Sequence, residues 1–92
     1  MGIPEERIDR LLTLAREAVV LEELDRSREL VRRARRIAER NRCPVPREFE
    51  RRTCDSCDVY LRPSVTARVR TRPGRVVVRC LECGATHRYP FS

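Results

Sequence analysis

The sequence predicts a small metal-bound α+β protein, in which an N-terminal two-helix hairpin is followed by a C-terminal three-stranded antiparallel zinc ribbon. Residues 5–42 contain no glycine or proline and are rich in Leu, Ala, Arg and Glu, which is a helical composition. Strand-like residues follow, flanked by two Cys-x-x-Cys pairs, "CDSC" and "CLEC". A chain of 92 residues buries too little surface for a large core, so an additional stabilising device is expected.

Two helices, at about 4–20 and 22–41, are predicted instead of one long helix. Apolar residues recur at helical spacing in two stripes whose phases differ, and the change falls at residues 19–24. Acidic residues there suit the positive N-terminal end of a new helix. Because two helices and a minimal ribbon are too small to enclose both stripes, we expect a protein partner to cover them. The expected partner-binding residues are Ile8, Leu11, Leu12, Ala15, Leu30, Val31, Ala34 and Ile37.

The chain divides into a helical region at 1–42, a linker at 43–52 and a ribbon at 53–92. The linker contains Pro44 and Pro46 and has no helical or strand period, so it is predicted to lie irregularly over the surface. In the ribbon, residues 65–71 alternate as a strand, "RPG" supplies a turn and residues 75–80 return as a second strand. A short third strand is expected over 86–89.

The two cysteine pairs indicate a single tetrahedral metal site. Each Cys-x-x-Cys turns the chain so that both sulfurs face one ion, and a hairpin brings the two pairs together. We expect one structural Zn²⁺ bound by Cys54, Cys57, Cys80 and Cys83, with no open position for a substrate. An iron site and unmetallated thiols remain alternatives. A redox dithiol is disfavoured because no helix is predicted after either pair.

The remaining reactive side chains give no catalytic site. Cys43 is interpreted as a small apolar filler and His87 as an ordinary strand residue, because no partner group is spaced with either. No apolar run approaches the ~20 residues of a membrane span, and the N-terminus lacks a signal-peptide core. The sequence therefore predicts a cytoplasmic protein without membrane contact.

The formal charge of +7 predicts a polyanionic partner, and all 21 basic residues are arginine, which binds phosphate in two-pronged fashion. A solvated helix face and a biased genome composition are the alternative explanations. Aromatic residues are scarce, so we expect recognition of folded RNA by shape and phosphate instead of base stacking. The candidate RNA-binding residues are Arg32, Arg33, Arg35, Arg36, Arg40, Arg51, Arg52, Arg62, Arg68, Arg70 and Arg88.

From about Arg7 to Pro90 the chain resembles the protein component 4 family of archaeal ribonuclease P. The resemblance is carried by "RIDRLLTLAREA", "LVRRARRIAERNRCPVPREFERRTC", "YLRP" and "CLECGATHRYP". It implies a zinc-ribbon subunit without catalytic residues of its own, within a tRNA 5′ endoribonuclease, a hydrolase whose RNA performs the catalysis. The implied partners are ribonuclease P RNA, precursor tRNA, the Sm-like barrel protein component 1 and the other protein subunits. A zinc-ribbon transcription factor or other nucleic-acid-binding factor is the alternative function.

Overall fold

A computed structural model describes residues 3–90. Its elements are α1 (Ile3–Val20), α2 (Leu24–Arg40), a short α3 (Arg47–Arg52), β1 (Ala67–Arg72), β2 (Arg75–Cys80) and β3 (Thr86–Pro90). The strands form one antiparallel sheet in the order β1-β2-β3. The predicted fold class is confirmed: two N-terminal helices precede a three-stranded antiparallel sheet that carries a four-cysteine cluster. Across the described residues, no helix has the length and apolar character needed to cross a membrane.

Both long helices end in a left-handed turn that uses no glycine. After α1, the N–H of Glu23 donates to Ala18 O and that of Glu22 to Val19 O, with Glu22 at φ 62°. After α2, the equivalent bonds run from the N–H of Arg42 to Glu39 O and from the N–H of Cys43 to Ala38 O, and Arg42 has φ 50°. This is the Schellman arrangement, in which the left-handed residue allows the last carbonyls of the helix to be satisfied.

The apolar stripes of α1 and α2 are mostly buried within the chain itself. Five of the eight residues expected to bind a partner are at most 7% exposed, which corrects that expectation for Ile8, Ala15, Leu30, Val31 and Ala34. They pack with residues 59–61 of the ribbon in one core. The first Cys-x-x-Cys turn with the residues that follow it, here called the first knuckle, therefore covers the apolar stripes; the turn at the second cysteine pair is called the second knuckle. Leu11, Leu12 and Ile37 are half-buried at the edge of this core.

The linker prediction is wrong for its second half. Residues 47–52 form α3, and Phe49 within it is only 1% exposed. Six residues are too few to show a helical period in the sequence, and the two prolines before them obscured the helix start. Phe49 buries its ring in the common core, while Arg35 of α2 lies 5.8 Å from the ring centroid. Helix α3 therefore packs between the long helices and the ribbon and holds them together.

Ser27 also joins three parts of the fold. It is fully buried on α2, donates its hydroxyl to Ala15 O on α1 and accepts from the backbone N–H of Tyr60 in the ribbon. Because a buried hydroxyl without partners would be unfavourable, these two bonds fix the helices and the ribbon in one arrangement.

The hairpin register gives the sheet two different faces. Ala67 pairs with Cys80, Val69 with Val78, and Thr71 with Val76, which places these residues on one face. The residues between them lie on the opposite face, because side chains alternate along a strand. Only Ala67 of β1 is buried, however. The alternation of apolar and polar residues predicted from residue 65 is therefore matched by burial at one position of this strand only.

Candidate metal centre and arginine surfaces

The four paired cysteines converge at one point. The Sγ atoms of Cys54, Cys57, Cys80 and Cys83 all lie within 4.8 Å of one another. Two of the separations are 3.5 Å, for Cys54 to Cys83, and 3.7 Å, for Cys57 to Cys80. A tetrahedron with metal–sulfur bonds of ~2.3 Å has edges of about 3.8 Å, so the cluster has the size of a tetrathiolate site.

The two knuckles are built on the same backbone hydrogen bonds. The N–H of Cys54 donates to Val59 O and that of Asp58 to Cys54 O; Cys80 and Gly84 repeat both bonds in the second knuckle. Asp58 and Gly84 occupy equivalent positions and have φ values of 65° and 80°. Glycine adopts this conformation without strain, whereas aspartate does so only with some steric cost. Asp58 therefore takes in the first knuckle the position that glycine takes in the second.

The surroundings of the four sulfurs differ in how strongly they favour the thiolate form. Burial raises the pKa of the Cys54 thiol to about 12, and burial also raises the pKa of Cys80. At Cys83 a backbone hydrogen bond from Ala85 is the largest influence and lowers the pKa. Backbone N–H groups thus point at the sulfurs, but burial opposes the thiolate form of Cys54 and Cys80 where no positive charge compensates it. A divalent cation would provide that charge.

One row of arginines on α2 faces the knuckles. Arg28, Arg32 and Arg35, here called the α2 arginine row, are spaced to lie on one face of the helix. Arg32 Nε lies 2.9 Å from Asp58 Oδ2, and Arg35 Nη1 lies 2.9 Å from Asp58 Oδ1. Arg28 contacts Glu82 at 3.3 Å, between the two cysteines of the second knuckle. The charge of the α2 arginine row is therefore compensated by acids of the same chain.

This pairing changes the interpretation of Arg32 and Arg35, which the sequence hypothesis grouped with RNA-binding residues. Arg35 donates in addition to Thr53 Oγ1 and Cys54 O, and its Nη2 lies 3.7 Å from Asp55. Its partners belong to the segment that contains the first two cysteines. The structure thus gives the two arginines a role in holding the ribbon against α2.

A second set of arginines covers the sheet face that points away from the core. In β1 and β2, Arg68 lies opposite Arg79 and Arg72 opposite Arg75, while Arg88 of β3 lies opposite Val77, the partner of Arg70. Side chains of directly opposed residues share one face. The arginine face, as we call it, consists of Arg68, Arg70, Arg72, Arg75, Arg79 and Arg88, all exposed. A shallow cavity of ≈ 210 Å³ lies among four of them, Val77 and Thr86.

The other predicted RNA-binding residues are spread over three places. Arg33, Arg36 and Arg40 are exposed on α2. On α3, Arg51 stacks on the Tyr89 ring, with 5.3 Å to its centroid, and Arg52 pairs with Glu48. Arg62 is half-buried in the loop before β1. Sequence reasoning missed Arg72, Arg75 and Arg79, although the hairpin register around Pro73-Gly74 would have placed all three on the face of Arg68 and Arg70.

Comparison with known proteins gives consistent results. A family profile described as "RNAse P Rpr2/Rpp21/SNM1 subunit domain" matches residues 7–84. Ribonuclease P protein component 4 of Halobacterium salinarum is 58% identical over 91 residues, covering 99% of this chain and 97% of that protein. The Methanopyrus kandleri protein of the same name is 49% identical, covering 94% of this chain and 69% of its own length.

Two solved structures share the fold. A chain in the cryo-EM structure of archaeal ribonuclease P with mature tRNA has a TM-score of 0.90 and 41% identity, covering 97% of this chain and 77% of its own. The structure described as Pfu Rpp21 has a TM-score of 0.67 and 35% identity, covering 94% of this chain and 97% of its own. Fold, cysteine cluster and sequence agree, and the chain belongs to the Rpr2/Rpp21/SNM1 family of ribonuclease P subunits, among the archaeal component 4 proteins.

Proposed function

We propose that this chain is a non-catalytic, RNA-binding subunit of ribonuclease P, the enzyme that removes the 5′ leader from precursor tRNA. Family membership supports the assignment to this ribonucleoprotein. In the assembled cytoplasmic endonuclease the RNA would perform the hydrolysis, and this subunit would bind and stabilise that RNA. A tetrathiolate centre agrees with a structural role, because four protein ligands leave no position for an activated water or a substrate.

The observation that carries the proposal is the arginine face. Opposed like charges weaken a sheet, and this one contains two directly opposed arginine pairs, Arg68/Arg79 and Arg72/Arg75. Among residues 59–81, which span β1 and β2, the sequence has no acidic side chain to offset them. A polyanion bound to this face would relieve the repulsion and gain from the release of counterions. The phosphate backbone of folded RNA has the required charge and regular spacing.

The cofactor we propose is one Zn²⁺, held by Cys54, Cys57, Cys80 and Cys83. The all-sulfur donor set and the tetrahedral size of the cluster suit this ion. Once bound, it would supply folding free energy and no chemistry. Strand β2 ends at Cys80, one of the four ligands, so a bound ion would fix the end of the strand that bears Arg75 and Arg79.

For the protein partner we infer the Sm-like barrel component 1, bound along the edge between α1 and α2. Leu11 and Ile37, two of the half-buried residues, line an apolar cavity of ≈ 330 Å³ together with Leu14 and three arginines. This edge replaces the broader stripes predicted from the sequence. The positive rim would suit a partner surface with acidic residues.

The test is RNA binding by three triple variants of equal charge. Arg68, Arg70 and Arg79→Gln alters the arginine face; Arg33, Arg36 and Arg40→Gln alters the exposed side of α2. Arg16, Arg42 and Arg47→Gln is the matched control, since these exposed arginines lie on α1, beyond the end of α2 and at the start of α3, outside both surfaces. For every arginine–phosphate interaction that a variant removes, the slope of log K against log salt should fall by about 0.7–0.9.

We expect the first variant to lose a slope of about 2 and at least tenfold in affinity for ribonuclease P RNA. The control should keep both, and precursor-tRNA cleavage by the reconstituted enzyme should weaken in parallel with binding. Equal losses of RNA affinity and salt slope in the first variant and the control would contradict RNA binding by the arginine face. Equal cleavage with and without the chain, at all magnesium concentrations, would reject the function itself. Tighter binding to duplex DNA than to folded RNA at matched salt would favour the transcription-factor alternative.

A further inference from the structure

The α2 arginine row contacts both knuckles of the cysteine cluster. Arg35 donates to the carbonyl oxygen of Cys54, and Arg32 binds Asp58, the residue after Cys57. Arg28 donates to Glu82 in the second knuckle. Helix α2 thus reaches one metal-ligand residue through its carbonyl and three neighbours of ligands, Asp55, Asp58 and Glu82, through their carboxylates.

Arg28 is the member of the row that contacts the second knuckle. Its side chain is 21% exposed and is held between Asp25, at 2.9 Å, and Glu82, at 3.3 Å. Asp25 lies three residues earlier on the same helix, so it fixes the guanidinium from the helix side. The planar fork of arginine can serve two or three acceptors at once, which a single ammonium group does less well.

The α2 arginine row would offset the negative charge of a tetrathiolate centre. Zn²⁺ with four thiolates carries a net charge of −2, and Asp55, Asp58 and Glu82 add to it. These three are also the only acids in the sequence from residue 53 onward, and the α2 arginine row contacts all of them. Positive groups outside the ligand shell stabilise a centre of this charge, and partners there typically change metal affinity 10–100-fold.

We propose that the α2 arginine row is the outer coordination shell of the metal centre and bridges its two knuckles, with Arg28 as the positioning residue for the second knuckle. The proposal rests on the metal centre proposed above. Coupling between two sites is reciprocal, so metal binding would stabilise the docking of α2 and the docking of α2 would retain the metal. The helical hairpin and the ribbon would then respond to metal as one unit.

The experiment compares Arg28→Met, Arg28→Lys and the matched control Arg36→Met in the full chain. Arg36 is exposed on the same helix and makes no ion pair within residues 3–90. Zinc content of the wild-type chain is measured first. Two readouts follow: the rate of zinc transfer to a chromogenic chelator, and the energy of the sulfur-to-metal charge-transfer band after substitution with Co²⁺. The far-UV circular dichroism of the helices confirms that the variants compared are folded.

We expect Arg28→Met to release zinc about 10–100 times faster and to shift the band to lower energy, because the sulfur electrons lose a nearby positive charge. Arg28→Lys should recover part of both effects, and Arg36→Met should match the wild type. An unchanged rate and band in a folded, zinc-loaded Arg28→Met would overturn the outer shell while leaving the metal centre intact. If Arg28→Met does not fold, Arg28→Lys decides by the same two readouts. A wild-type chain that binds no metal would refute both proposals.

Discussion

Replacing Asp58 with glycine sets two opposing effects against each other at one position of the first knuckle. Asp58 has φ 65°, where a side chain costs roughly 1 kcal/mol relative to glycine. Its carboxylate binds Arg32 and Arg35, at 2.9 Å in each case. Glycine would relieve the backbone and remove both ion pairs. The sign of the change in the free energy of unfolding therefore shows which effect is larger.

The ion pairs are expected to dominate. The side chains of Asp58 and Arg35 are 19% and 32% exposed, so we assign their partly shielded pair about 1.5 kcal/mol, the lower end for charged hydrogen bonds. Arg32 is 53% exposed, and its pair adds roughly 0.5 kcal/mol after screening by solvent. Subtracting the backbone gain leaves a net loss of about 1 kcal/mol for Asp58→Gly.

The assay is urea unfolding of the zinc-loaded chain, followed by helical circular dichroism. Gly84→Ala is the matched control, because Gly84 has φ 80° at the equivalent position and an added Cβ meets no atom within 4 Å. It should lose about 1 kcal/mol from backbone strain alone. Asp58→Asn should lose about 1 kcal/mol, and less in about 1 M salt, where the wild-type ion pairs are screened. If the free energy of unfolding of Asp58→Gly is equal to or higher than that of the wild type, while Gly84→Ala is destabilised, the assigned ion-pair energy is refuted.

Two further predictions concern the core and the metal. Phe49→Ala should lower the free energy of unfolding by about 3–5 kcal/mol, because the ring is fully buried between the helices and the ribbon. Glu48→Ala, on the exposed side of α3, is the control. A loss below about 1 kcal/mol for Phe49→Ala would contradict the assigned core. Removing the metal with a chelator should lower the melting temperature reported by the helices by more than about 10 °C, since helices and ribbon share one core and each kcal/mol corresponds to about 4–8 °C. Helices that melt at the same temperature with and without metal would show that the two parts fold independently.

The features that the sequence predicted well depend on residues close together in the chain. The cysteine pairs, the Pro-Gly turn and the alternation of the hairpin are each encoded within a few positions. The break between the two long helices was found from the change of phase between their stripes, although its conformation was not. The helix ends were predicted at about residues 20 and 41, but Glu22 and Arg42 adopt left-handed conformations that most sequences assign to glycine, so composition gave no sign of the turns that end the helices.

The features that were missed depend on contacts between distant residues. Arg32 and Asp58 are 26 positions apart, and Arg28 and Glu82 are 54 apart. Periodicity shows which side of a helix an arginine lies on, but not which acid another segment brings to it. For the same reason the burial of Phe49 could not be predicted, since six residues of α3 gain their stability from packing against α2 and not from their own length.

The position of the acids explains why arginines of one chain have two roles. From residue 53 onward every acidic residue lies in a knuckle, and the strands contain none. The α2 arginine row therefore meets carboxylates, whereas the arginines of the arginine face form no ion pair within residues 3–90. The net charge of +7 is thus unevenly distributed, and the molecule presents its uncompensated charge mainly on one side of the sheet. Such a distribution would orient the chain as it approaches a polyanion, with the arginine face turned toward the phosphates and the edge of α1 and α2 left free for a protein subunit.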